Sequence, residues 1–315
     1  MYRLTSDIKI GEHELVGVVE LSIESSWENL TDTCSLKFPR NLAWKGKSIA
    51  WGDDSLFKRG DVVKIDLGYD DNNTSRFEGY LHDIQDDVSP ALECQDAMWL
   101  LKQTTITQSW KEVSLKELLS AIIPIAVPFD APTVRLGQFR ISKATPAQVL
   151  EELRKTYFLK SWIREGVLYV GLAYVPKLQN EHTIKFERNV ISHDLKFRRK
   201  EDVKIKLKVI SMLPNNQKLE FEFGDDEGEQ RTLHFYDKKE DEIKFIAEQE
   251  IERLRYEGYR GSFTTFLIPK IQHGDWVNLE SEKYGERNGK YLVKKVTTNF
   301  GTGGGRQIIE LDSKA

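Results

Sequence analysis

The side chains best suited to metal binding or nucleophilic chemistry are few: His13, His82, His182, His193, His234, His273, Cys34 and Cys94. No histidine falls in a His-Glu-x-x-His pair, which would set two imidazoles on one helical face for zinc, and no Cys/His spacing matches a structural zinc site. A metal site assembled in space stays open to the sequence. No Gly-x-Ser-x-Gly elbow presents a serine nucleophile. Gly301-Thr302-Gly303-Gly304-Gly305-Arg306 has the glycine content of a phosphate cradle. It lacks the Gly-Lys-Ser/Thr ending and lies between two strand patterns, so it reads as a hairpin tip. Gly224-Asp225-Asp226-Glu227-Gly228-Glu229 lacks the ligand spacing of a calcium loop and reads as an acidic turn. Arg59-Gly60-Asp61 spells an adhesion tripeptide, but Gly60-Asp61 is better explained as the corner that opens a strand. Asp and Glu number 50, and no pattern pairs two of them as a glycosidase dyad. The expectation is a protein with no catalytic residues, no cofactor and no metal.

Composition narrows the class. The 315 residues are 39% apolar and 30% charged, a globular balance with length for two or three domains. A net charge of −4 supplies no concentrated Lys/Arg field for nucleic acid. No run of about 18 apolar residues occurs, so no membrane anchor is expected. The start, Met1 to Leu15, lacks the layout of a signal peptide. Synthesis and folding in a cytoplasm are expected, which leaves the Asn73-Thr74-Ser75 sequon without a secretory context. Cys34 and Cys94 each sit in a strand pattern and read as small buried residues, although the sequence does not exclude one bridge between them.

The elements that would carry such a chain are mostly strands. Alternation over Leu15, Gly17, Val19 and Leu21 predicts one half-buried strand, and Cys34, Leu36 and Phe38 predict another. Trp51-Gly52-Asp53-Asp54 predicts a loop. Val63, Ile65 and Leu67 form one face of a strand that turns at Asp70–Asn73 and returns over 77–84, followed by a strand over Ala91–Cys94. The middle differs. Ser114 can cap a helix carrying Leu115, Leu118, Leu119 and Ile122, with Pro124 beyond its end. Thr145-Pro146-Ala147-Gln148 is a capping-box start for a helix burying Val149, Leu150 and Leu153. Residues 161–170 predict a hairpin turning at Glu165-Gly166. Strands then return. Val203, Ile205, Leu207 and Val209 face one way and Lys204, Lys206 and Lys208 the other. After Pro214-Asn215-Asn216 come Leu219, Phe221 and Phe223, with Glu220 and Glu222 outward. Pairing of these strands would set lysines across from glutamates, at about 0.2–1 kcal/mol per pair. A helix over about 241–257, stopping at Gly258, precedes three closing strands.

One echo spans the chain. Gly60-Asp61 opens a strand, Gly79-Tyr80-Leu81 lies on its return, and Leu92-Glu93-Cys94 ends the unit; Gly274-Asp275, Gly289-Lys290-Tyr291-Leu292 and Ile309-Glu310-Leu311 repeat that order. The glycines offset by 214 residues (Gly60 and Gly274) and by 210 (Gly79 and Gly289), so only the turn length changes. Gly60, Asp61, Gly79, Gly274, Asp275 and Gly289 are therefore the candidate marker residues, with a structural role. The predicted fold class is α+β, mainly β, with two similar barrel-like antiparallel β modules flanking a small α/β domain. The predicted boundaries are 1–110, 111–190 and 191–315, the last with an inserted helix.

In this order the Gly-Asp strand units, the Thr145-Pro146-Ala147-Gln148-Val149-Leu150 helix, the hairpin ending Gly166-Val167-Leu168-Tyr169-Val170-Gly171, the late helix before Gly258 and the terminal Asn288-Gly289-Lys290-Tyr291-Leu292-Val293 resemble the baseplate hub proteins of contractile phages. That family includes the late control D proteins and the N-terminal part of the VgrG spike. The pattern spans nearly the whole chain, and its order is more specific than any one motif. The resemblance implies a homotrimeric ring around a channel. Two modules in each of three subunits would give pseudo-six-fold symmetry, matched to a hexameric tail tube protein on one side and a central spike protein on the other. It further implies contacts with other baseplate proteins, DNA passing through the channel without specific binding, and residence in a virion tail baseplate. The sequence ends at Ala315 without the β-helical spike of VgrG, which favours a phage or prophage hub with a separate spike. A hub in a secretion or injection machine is the alternative; a cell-wall hydrolase or carbohydrate-binding module on a tail is a further one.

Overall fold

A computed structural model describes residues 3–15, 18–38, 41–44, 47–50, 57–85, 91–157, 159–171, 179–213, 217–236 and 238–314. The expected loop at 51–54 and turn at 214–216 fall outside these residues. The chain opens with β1 (Leu4–Ile10), β2 (His13–Leu15), β3 (Glu20–Ser26), β4 (Thr33–Lys37), β5 (Asn41–Trp44), β6 (Lys47–Ala50), β7 (Val62–Tyr69), β8 (Asn72–Gln85) and β9 (Ala91–Gln95). Val63, Ile65 and Leu67 alternate into the core with no exposed surface, as does Leu36 opposite Leu92. The single strand expected over 15–21 is instead two, β2 and β3, and Val19 between them is 41% exposed. Strand alternation does not reveal where a chain leaves one neighbour for another.

The middle contains β10 (Ile106–Ser114), α1 (Leu115–Ile122), β11 (Phe129–Asp130), β12 (Arg135–Ala144), α2 (Pro146–Tyr157), β13 (Lys160–Arg164) and β14 (Val167–Gly171). Local chemistry sets its boundaries. The Ser114 hydroxyl accepts from the Glu117 amide, and the Glu117 carboxylate accepts from the Ser114 amide at 2.8 Å. Thr145 and Gln148 do the same, at 3.2 and 2.8 Å. Glu165 and Gly166 both take positive φ, the turn that matches the twist of a two-residue hairpin. Leu115, Leu118, Leu119, Leu150, Leu153 and Leu168 fill this unit's core, which Met98, Leu101 and Met212 join from outside it.

The last part runs β15 (Glu181–Lys185), α3 (Phe186–Asn189), β16 (Val190–His193), β17 (Lys196–Arg198), β18 (Ile205–Met212), β19 (Lys218–Gly224), β20 (Glu229–Tyr236), α4 (Glu240–Leu254), β21 (Gly258–Arg260), β22 (Ser262–Thr265), β23 (Trp276–Glu280), β24 (Gly289–Gly301) and β25 (Gly304–Lys314). Five strands, not three, follow α4. The helix stops at Leu254, and Gly258 opens a strand instead of capping it. The inserted element is also larger than a helix. β17 pairs directly with β21, so everything between them, the sheet β19-β18-β20 and α4, is one insertion. It has a core of its own, with Leu207 and Val209 of the sheet against Ile243, Ala247 and Ile251 of the helix. On the outer face of its sheet Lys206 reaches Glu222 at 3.0 Å and Lys208 reaches Glu220 at 2.8 Å, the charge pairing expected of that face.

The fold is mainly β, as expected, but the modules are not separate barrels. One thirteen-stranded sheet contains both, in the order β16-β22-β25-β24-β3-β4-β9-β8-β7-β1-β2, with β23 and β15 continuing from β24. Among the described residues it does not close. The seam is β3 against β24, antiparallel from Lys295 opposite Ser26 to Gly301 opposite Glu20. Phe300 and Leu267 cross it to pack in the core of the first module.

Candidate functional site

The two Gly-Asp corners have the same hydrogen bonds. At the first, the Gly60 amide donates to the Leu81 carbonyl (2.8 Å), the Leu81 amide to the Asp61 carbonyl (2.9 Å), and the Asp61 amide to the Lys58 carbonyl (3.0 Å). At the second, Gly274 donates to Val293 (2.7 Å), Val293 to Asp275 (2.9 Å), and Asp275 to Gln272 (3.2 Å). Each aspartate carboxylate then accepts the amide three residues back, Lys58 at 2.8 Å and Gln272 at 2.9 Å. Gly60 and Gly274 have φ of +93° and +82°, where a side chain is strained.

The register alters the alignment of the other two glycines. Gly79 lies opposite Val63, and the residue opposite the equivalent Val277 is Tyr291. Gly289 lies opposite Leu279, the counterpart of Ile65, whose partner is Phe77. Gly79 and Gly289 are therefore not equivalent. Each glycine has its own cause. A Cβ on Gly79 would overlap the Gln95 carbonyl, whereas one on Gly289 would meet Tyr291 and the Lys314 side chain. Beyond Leu81 and Val293 the modules run in step again. Both return strands bulge at the next residue, between Leu81 and Asp83 and between Val293 and Lys295. The strand orders correspond as well: β1-β7-β8-β9-β4-β3 beside β15-β23-β24-β25-β22-β16. The first strand is the exception, since β1 is antiparallel to β7 and β15 is parallel to β23.

The corners also diverge. Asp61 is half-exposed, while Asp275 is fully buried. Asp275 accepts from Arg164 (2.8 Å) and from the Asn180 amide (3.1 Å), and its second oxygen lies 3.2 Å from His182 Nε2. Arg164, at the end of β13, also donates to the His273 carbonyl at 3.2 Å. The second corner thus clamps the middle unit onto the second module with a desolvated ion pair. Burial opposes ionisation of Asp275, but hydrogen bonds from His182, Arg164 and Gln272 outweigh it and hold the carboxyl below its usual range. Burial and the neighbouring Arg164 push His273 down to about 3, so its imidazole is neutral. This arrangement positions domains; its carboxylate is fully engaged. Among the described residues no group of three or more His, Cys, Asp or Glu side chains is placed to hold a metal ion.

A second polar link ties module to module. Arg76 of β8 donates to Gln307 Oε1 of β25 at 2.9 Å and to the Leu267 carbonyl. Gln307 is itself fully buried, accepting from the Ile271 amide and donating to the Phe266 and Pro269 carbonyls. At the seam, Ser22 bonds Asn299 at 2.9 Å and Lys295 pairs with Glu24 at 2.8 Å. Arg164, Arg76 and Gln307 escaped the sequence reading. The one local signal was Arg164, a charged residue at the end of a strand that otherwise buries Ser161 and Trp162.

No family model and no curated protein matches the chain. Solved structures share its fold over nearly its whole length. The tail protein from Neisseria meningitidis MC58 is 14% identical, with 100% of this chain and 97% of that one covered, at a TM-score of 0.65. The 43 kDa tail protein of prophage MuSo2 from Shewanella oneidensis is 17% identical, with 98% and 97% covered, at 0.64. A component of the E. coli type VI secretion system, described as similar to tail proteins of bacteriophage T4, is 9% identical, with 98% and 77% covered, at 0.60. At these identities the likeness is one of fold, and at that level it bears out the resemblance read from the sequence.

Proposed function

We propose that this protein is the structural hub of a contractile phage or prophage tail baseplate. Three copies close into a ring with pseudo-six-fold symmetry, which joins the hexameric tail tube to the central spike and leaves a channel for DNA to pass without specific binding. The observation that carries this reading is the duplicated corner, bulge and strand order within one continuous sheet. A chain containing two like modules offers six like surfaces per trimer, which is what a six-fold partner requires. The fold shared with two tail proteins supports the same role. Residues 1–110 and 191–315, with β15 paired onto the second of them, are the two ring domains, the rest of 111–190 is the outer α/β domain, and no residue acts as a catalyst. The protein resides in the virion baseplate after synthesis in the host cytoplasm.

Sedimentation of the purified chain, followed by electron microscopy with tube and spike proteins, tests this. A three-fold ring bound to both partners is expected; a monomer that binds neither overturns the reading. The fold shared with a secretion-system component supports a second setting, the same hub in an injection machine. Neighbouring genes separate the two: capsid and terminase genes accompany a phage, an ATPase and membrane complex a secretion system.

A further inference from the structure

The seam inside the chain predicts the seam between chains. In the first module the outer edge of β3 is covered by β24 of the second. The counterpart of β3 in the second module is β16 with its continuation β17. Leu36 opposite Leu21 corresponds to Phe263 opposite His193, and Ser35 opposite Ser22 to Ser262 beside Asp194. Among the described residues no strand covers the outer edge of β16 or β17. Ile191, Ser192, His193, Asp194, Lys196 and Arg198 are all exposed along it. The counterpart of the covering segment of β24 is the end of β8, with Asp83, Ile84 and Gln85 in the places of Lys295, Val296 and Thr297 after the shared bulge. Those three residues pair with β9 on one side and, among the described residues, with no strand on the other.

We infer that β16–β17 of one copy pairs antiparallel with the Asp83–Gln85 end of β8 in a second copy, repeating the β3–β24 seam. The inference rests on the ring reading above and names its interface. Transferring the inner register sets Asp83 opposite Arg198, Ile84 opposite Phe197 and Gln85 opposite Lys196. The charges are complementary, because Arg198 is exposed and Asp83, paired with the exposed Arg59, can exchange that partner for it. Ile84 and Phe197 are half-buried and already pack on their own cores, so their pairing would join two cores as Phe300 does across the inner seam. The donor edge and the acceptor edge differ, so the contact is head-to-tail, the kind that builds a ring when the rotation between successive modules closes. It also covers strand edges that would otherwise be open to unspecific pairing.

Two measurements on the full chain test it. Gln85→Cys with Lys196→Cys, both at exposed positions, is treated with a short bis-maleimide; covalent dimers and trimers are expected from the double variant and from neither single one. Cys34 and Cys94 are buried, with thiol pKa values pushed up, and do not compete. Separately, Asp83→Arg and Arg198→Asp should each weaken self-association by about two- to thirtyfold, and the double reversal should recover it. Trimers by sedimentation without these cross-links, or without rescue by the double reversal, overturn this interface and leave the ring reading standing. A chain that stays monomeric at every concentration, never cross-links and binds neither tube nor spike protein overturns both.

Discussion

Replacing Asp275 with Asn isolates the clamp between the middle unit and the second module. The side-chain shape is kept and the charge removed, so Arg164, 2% exposed, is left without its counter-ion. Breaking one partner of a buried pair costs about 3–5 kcal/mol, because the remaining charge has been taken out of water uncompensated. The matched control is Asp61→Asn at the half-exposed corner. Among the described residues the bond weakened there is the one from the Lys58 amide, at about 0.5–1.5 kcal/mol. With a urea slope of about 3 kcal/mol per molar, the Asp275 variant should lose at least about 1 M in midpoint and the control at most about 0.5 M. Urea unfolding followed by near-ultraviolet circular dichroism, which reports on the buried Trp162–Tyr169 stack beside Arg164, measures both. The pH profile gives a second signature. The folded carboxyl titrates below its unfolded value, so its stabilisation is present above about pH 4 and is lost as pH falls through the folded pKa. That acid limb should shrink in the variant. Equal midpoint losses at Asp275 and Asp61 would refute the clamp.

Three further perturbations follow from the same geometry. Gly60→Val and Gly274→Val should each cost at least about 1–2 kcal/mol from the left-handed backbone alone, and both should lower assembly; normal stability and assembly of both would remove the corners from the account. Tyr291→Phe removes the acceptor of the buried Tyr259 amide, 2.9 Å from the phenol oxygen, and should lower the unfolding free energy by about 1–3 kcal/mol in the same urea assay. Burial, together with the neighbouring Asp96, raises the carboxyl of Asp32 well above its usual range. The folded protein therefore binds a proton that the unfolded chain releases, and stability should fall as pH rises from about 4 through the raised pKa. Asp32→Asn keeps the bonds to Ser25 and the Ser26 amide and should flatten that slope; an unchanged thermal midpoint-versus-pH curve would contradict it.

Local physics was legible in the sequence because each signal is complete within a few residues. Ser114 and Glu117, or Thr145 and Gln148, satisfy one another's amides wherever the helix is placed. Val63, Ile65 and Leu67 alternate whichever strand lies beside them, and Gly60-Asp61 and Gly274-Asp275 announce their corners in the same way. Which strands meet was beyond the sequence. The pairing of Gly79 with Val63 and of Tyr291 with Val277 is a register, and a register depends on partners about 14–16 residues away whose alternation fits more than one offset. The β3–β24 seam joins residues more than 260 positions apart, and no local propensity encodes such a contact. Asp275 and Asp61 look alike in the chain. Only the tertiary structure buries one against Arg164 and leaves the other half-exposed, because burial belongs to what packs on a residue and not to the residue. The sequence determined the modules; the sheet they share, the clamp that holds the middle unit and the strand edges left without a partner among the described residues were decided in three dimensions.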